Sequence, residues 1–176
     1  MIKRLLVMGA AALAALAGGC GDGPSTVAGG YRSAAAWSSF VHATASGPLL
    51  LDVHGDPFGV GAGEVARTVA EAMSGAIPAR PHVMTIRRDE APRPAFRVVV
   101  MLGAPAGLDV GDLCAGRIPD AAGGTGGRID LMAAFCDGET PLSSVRGWVA
   151  RVDGPGDRRF RLLLAQAMRE LMGEPV

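Results

Sequence analysis

Asp52, His54 and Asp56 stand at i, i+2 and i+4. Alternate side chains of an extended chain share a face. Two carboxylates and an imidazole would therefore meet there, a set able to ligate a divalent cation. The same residues run into Gly55-Asp56-Pro57, a turn signal at which polar side chains serve as caps. Gly59, Gly61 and Gly63 lead into a helical pattern, and helix N-termini attract anions. Their spacing is neither the dinucleotide fingerprint nor a phosphate loop, which also needs a lysine, so they read as a strand-to-helix connection. Nucleophilic catalysis needs a nucleophile, a base and a group that orients the base. Serines are available, but there is no G-x-S-x-G elbow. His42, His54 and His82, the three histidines, fall on different predicted elements. No catalytic set and no cofactor follow from these residues, and Asp52, His54 and Asp56 are the only metal-ligand candidates.

Asp52-Val53-His54-Gly55 resembles the first motif of calcineurin-like metallophosphoesterases, over four residues. That family also carries a later Gly-Asp-x-x-Asp and a Gly-Asn-His-Asp/Glu. Gly111-Asp112-Leu113-Cys114 departs from the first, and no histidine follows His82, so a two-metal centre is not implied. Arg87, Arg88, Arg93 and Arg97 cluster around one pair of predicted strands, and Arg158, Arg159 and Arg161 open the last helix. Either cluster suits anionic lipid or glycan, or simply forms a solvated face. Arginines in a first helical turn oppose the helix dipole, so the second cluster is expected to have an acidic partner within the fold.

Lys3 and Arg4 precede an uncharged apolar run, Leu5–Leu16. The run is too short for a membrane-spanning helix, which takes about 20 residues, and it has the length of a signal-peptide h-region. It ends in Leu16-Ala17-Gly18-Gly19-Cys20, which resembles the lipobox of bacterial lipoprotein precursors. The resemblance implies diacylglycerol on the Cys20 thiol, cleavage before Cys20 and acylation of the new N-terminus. Two or three acyl chains anchor stably where one binds only marginally, so the membrane becomes a partner through lipid. Aspartate directly after the cysteine resembles an inner-membrane retention signal. Here Gly21 follows Cys20, so the outer membrane, facing the periplasm, is the expected address. Cleavage would remove Lys3, the only lysine, and Arg4, leaving 15 of the 17 basic residues against 17 acidic ones, a formal charge of −2.

With Cys20 assigned to lipid, Cys114 and Cys136 remain. An even remainder in an oxidising compartment points to a disulfide. Closing a loop of about 22 residues is worth roughly 3.4 kcal/mol in the chain-entropy account. Free buried thiols are the alternative. No C-x-x-C spacing occurs, so a thioredoxin-like role is not supported.

These residues need a scaffold. Residues 21–30 read as a flexible tether, and residues 33–43, with Trp37 and Phe40, as a short helix or a segment lying across the surface. Residues 49–54 form a strand ending at the Gly55 turn. Val65, Val69, Ala72 and Met73 make one helical stripe over 64–74. Residues 82–88 and 96–102 read as two strands of a hairpin. The Gly/Pro-rich stretch 103–128 is long for a loop in a compact domain, and a Cys114–Cys136 bond would keep it ordered. Residues 129–136 and 143–152 are further strands. Asp157 caps a helix over 158–172 whose apolar stripe is Phe160, Leu164, Ala167, Met168 and Leu171. Strand, helix, four strands, helix predicts an α+β two-layer sandwich: a mostly antiparallel sheet of about five strands with two helices on one face.

The expected layout is a signal peptide over 1–19, a lipidated cysteine with tether and short segment over 20–47, and one domain over 48–173. Ala133-Ala134-Phe135-Cys136-Asp137-Gly138, together with Cys114 and the Phe160–Met172 helix, resembles uncharacterised small lipoproteins of GC-rich proteobacteria, which implies no activity. Hydrophobic residues make up 49% of the 176 and charged residues 19%, which argues against intrinsic disorder. A formal net charge of zero argues against nucleic acid as a partner. The sequence therefore predicts a membrane-anchored periplasmic lipoprotein that is not an enzyme: a binding module for an envelope protein or glycan. Its alternative is a small-ligand or metal-binding lipoprotein using Asp52, His54 and Asp56.

Overall fold

The computed structural model describes residues 23–121 and 127–173. The expected signal peptide and Cys20 lie outside the described residues. In chain order the strands are β1 (Ser25–Arg32), β2 (Leu49–His54), β3 (Met84–Thr85), β4 (Phe96–Leu102), β5 (Ile129–Asp137) and β6 (Thr140–Val149). The α-helices are α1 (Ala36–Ala43), α2 (Ala62–Met73), α3 (Val110–Cys114) and α4 (Arg158–Met172), with a 3-10 turn at Arg88–Glu90. The fold is mixed α/β, built on one open, mostly antiparallel sheet ordered β1-β6-β5-β4-β2-β3. β1–β6, β6–β5 and β5–β4 are antiparallel, whereas β2 runs parallel to both β4 and β3.

Three expectations are corrected here. Residues 82–88 and 96–102 do not form a hairpin, because β2 lies between β3 and β4: Leu50 stands opposite Thr85 on one side and Arg97 on the other. Leu49, Leu50 and Leu51 are all buried, as a continuous apolar run is in a parallel strand covered on both faces inside a sheet. The tether reading fails over most of its span. Residues 25–32 form β1, which pairs with β6 from Ser25 opposite Trp148 to Arg32 opposite Ser143. Without β1, β6 would be an edge strand with open hydrogen-bonding groups. The sheet consequently has six strands, not five. The third correction concerns the Gly/Pro-rich stretch, which includes α3. Its Asp109 caps the helix by accepting from the Gly111 N–H at 2.7 Å.

The period of two divides β4 and β5 between two apolar clusters. Val98, Val100, Leu131, Ala133 and Phe135 join Phe40 of α1, Val65 and Val69 of α2 and Phe160 and Leu164 of α4. Val99, Met101, Met132 and Ala134 join Leu113 and Cys114 of α3. α4 can lie close on β6 because Gly147 has no side chain. A Cβ there would stand 2.8 Å from Leu163 Cδ1 and 2.9 Å from the Ser25 carbonyl oxygen. Cys114 and Cys136 form a disulfide with a Cα–Cα distance of 5.8 Å, tying the end of α3 to β5. No helix among the described residues is long and apolar enough to cross a membrane.

Candidate functional site

The end of β2 presents Asp52 and His54 on one face, as alternation requires, but the chain then leaves the strand. Gly55 has φ +88°, and a Cβ there would come within 2.2 Å of the Leu102 carbonyl oxygen, so the turn demands glycine. Asp56 is carried round the turn, where its carboxylate accepts from the N–H groups of Phe58, Val60 and Gly61 at 3.3, 3.3 and 2.7 Å. These bonds, led by that of Gly61, hold its pKa below the ordinary value. Asp52 accepts from Arg97 Nε at 3.1 Å. Burial lowers the pKa of His54, against a smaller upward pull from Asp52. The trio is thus separated, with one carboxylate spent on a turn and the other on an ion pair. Among the described residues no group of three or more His, Cys, Asp or Glu is placed to hold a metal.

The arginine clusters also divide. Arg87 pairs with Asp89 and Glu90. Arg93 donates to the His42 carbonyl and to Ser46 Oγ, each at 2.8 Å. Arg97, with its side chain only 14% exposed, also donates to the carbonyls of Gly138 and Cys114. On α4, Arg159 pairs with Asp157 and Arg161 with Glu71 of α2.

No motif in the sequence marks the groove where β5 and β6 meet the segment after β4. It measures about 450 Å³ and is lined by Ala104, Pro105, Ala106, Asp130, Leu131, Arg146, Gly147 and Trp148, a volume within the range of small-ligand sites. Its wall is strapped at two points. The backbone carbonyl of Asp130 accepts from the N–H groups of Gly103 and Ala104 at 2.7 and 3.3 Å. Arg146 donates to the carbonyls of Pro105 and Leu108 at 3.3 and 2.6 Å. Asp130 and Trp148 are directly paired across the two strands, so their side chains share the groove face. The Asp130 carboxylate takes Nε and Nη2 of Arg128 at 2.7–3.1 Å, and the Arg128 guanidinium lies 5.4 Å from the centroid of the Trp148 ring. That cation–π contact braces the indole. The indole N–H has no acceptor among the described residues. The signal that could have found this site is the alternation of β6, which sets Arg146 and Trp148 on one face. What it lacks is the β5 register that adds Asp130 and the wall at 104–106.

A second concavity of about 610 Å³ lies between α2 and β3, with Val83 and Ile86 exposed on it. Of its charged groups, Arg87 and Glu90 pair with each other and Glu71 pairs with Arg161.

No protein-family model matches the chain, and no curated protein matches its sequence. Among solved structures, a dodecamer of a PelC point variant from Paraburkholderia phytofirmans aligns at 8% identity and a TM-score of 0.41, covering 85% of this chain and 97% of that one.

Proposed function

We propose that the protein is a lipoprotein of the cell envelope, anchored through Cys20 at the outer membrane and facing the periplasm, and that its domain is a non-enzymatic binding module working through the Trp148 groove. The observation that carries the binding reading is a concave site formed in advance. Its wall is strapped by Arg146 and by the Asp130 carbonyl, and the Trp148 ring lines it together with Ala104, Pro105 and Ala106. A pre-formed site avoids the ordering cost that a mobile loop would add to binding. The anchor rests on the basic n-region, the apolar run and the small residues before Cys20. The two-layer sandwich belongs to the same proposal. The shared cluster of α1, α2 and α4 with alternate residues of the strands supports three helices on one face, where two were expected, with α3 and the groove on the other.

A photo-crosslinking residue at Ala106, on the groove wall, tests this in the native envelope. The expected result is an envelope adduct that is absent when the same residue is placed at Arg67 on α2, and that is lost with Cys20→Ser. Equal labelling from both positions, or none from Ala106, overturns the reading.

A further inference from the structure

The charges in the groove do not balance. Asp130 is matched by Arg128. Arg146 is half-buried and donates only to two backbone carbonyls, with no carboxylate within ion-pair distance among the described residues. A guanidinium partly shielded from water and left without a counter-charge favours an incoming anion, and its planar geometry fits a carboxylate. The carbonyls of Pro105 and Leu108 fix its plane without neutralising it. The cation is therefore oriented before any ligand arrives.

Around it stand groups with separate demands. The Asp130 carboxylate, half-exposed, offers acceptor positions that only hydroxyl or N–H donors satisfy. Trp148 presents an aromatic surface and one N–H donor, and Ala104, Pro105 and Ala106 form the facing apolar wall. A simple anion would satisfy Arg146 and leave Asp130 and the indole unused. A neutral sugar would satisfy the carboxylate and the ring surface and leave the cation unmatched. An aromatic acid would lack hydroxyls for Asp130. One ligand class meets all of these: a ring with apolar C–H faces, a rim of hydroxyls and a carboxylate.

We propose that the Trp148 groove is a binding site for a carboxylate-bearing saccharide, with Arg146 receiving the carboxylate, Asp130 receiving hydroxyls and the sugar ring lying against the indole. This rests on the binding-module reading above and names its ligand.

The test uses the full chain, purified in detergent, with Trp37→Phe so that Trp148 is the one remaining tryptophan of two and its emission reports the groove directly. The probes are oligogalacturonate, a neutral cello-oligosaccharide of the same length, and benzoate. Oligogalacturonate is expected to give a saturable change in Trp148 emission, at least tenfold tighter than either other probe and weaker in raised salt. Arg146→Gln is expected to weaken it at least tenfold, whereas Arg146→Lys, which keeps the charge, retains an intermediate affinity. Because Arg146 also straps the wall, the thermal midpoint of each variant is measured. Should Arg146→Gln prove misfolded, Asp130→Asn takes its place and is expected to lower affinity for both saccharides without affecting benzoate. No saturable response to oligogalacturonate, equal affinity for all three probes, or an undiminished response in folded Arg146→Gln overturns the proposal. An adduct from the Ala106 crosslinker alongside failure of oligogalacturonate would discard the ligand class and leave the binding module standing; absence of both discards the two together.

Discussion

At the scale of single residues, position on the fold sorts side chains that look alike in the sequence. Asp52 and Asp56 differ by four positions, yet one neutralises Arg97 and the other caps three backbone N–H groups. His54 sits between them, and its role is testable through pH. Burial holds its pKa below the ordinary 6.5, so the unfolded chain binds a proton there that the folded chain resists. Where the unfolded state holds more protons, stability falls as pH falls. The urea midpoint should drop between about pH 7.5 and 5.5, and His54→Gln should flatten that drop. An identical slope in the variant would reject the assignment. Double replacement, Asp52→Ala with His54→Ala, is expected to leave metal content unchanged by elemental analysis while lowering stability, because Arg97 loses its carboxylate. The alternation of β6 makes Arg146 and Trp148 legible as neighbours on one face. Their relation to Asp130 and to the 104–106 wall is not legible, because it depends on which strands pair and in which register.

At the scale of elements, the best-read one is α4, whose stripe and caps are local properties. Asp157 accepts from the Arg159 N–H at 2.8 Å, and its hydrogen bonds with Arg159 lower its pKa to about 2. Its contribution is therefore present above the unfolded value of 3.8 and is lost as pH falls through about 2. Asp157→Ala should cost about 1 kcal/mol at neutral pH, or about 2–4 °C in thermal midpoint for a chain of this size. The gap between wild type and variant should close as pH approaches about 2; a gap constant over that window would assign the loss to something other than the ionised cap. α3 is hidden in a Gly/Pro-rich stretch because a helix of five residues has no periodicity to detect. Its anchor, the Cys114–Cys136 bond, should be worth about 2–5 kcal/mol. Cys114→Ser with Cys136→Ser should lower the urea midpoint accordingly, and non-reducing mass spectrometry of the protein from its native host should find one bridge. Two free thiols would exclude it.

At the scale of the whole molecule, the proposed anchor and the groove belong to different kinds of information. Cys20→Ser should release the protein from the membrane fraction or stall it as precursor; a variant that fractionates and migrates like the wild type would reject lipidation. That expectation needs no folded structure, since a charged start, an apolar run and small residues before a cysteine are read in linear order. Linear order likewise determined the apolar cores of β2 and β4, the turn at Gly55 and both ends of α4, because strand alternation, helical periodicity and capping act within a few residues. Tertiary structure alone decided that β2 lies between β3 and β4, that residues 25–32 close the sheet beside β6, and that Asp130, Arg146 and Trp148 share one groove. These depend on pairings between segments far apart in the chain, such as Ser25 with Trp148. Local propensity is blind to such pairings, and burying both faces and both edges of the apolar strands selects them.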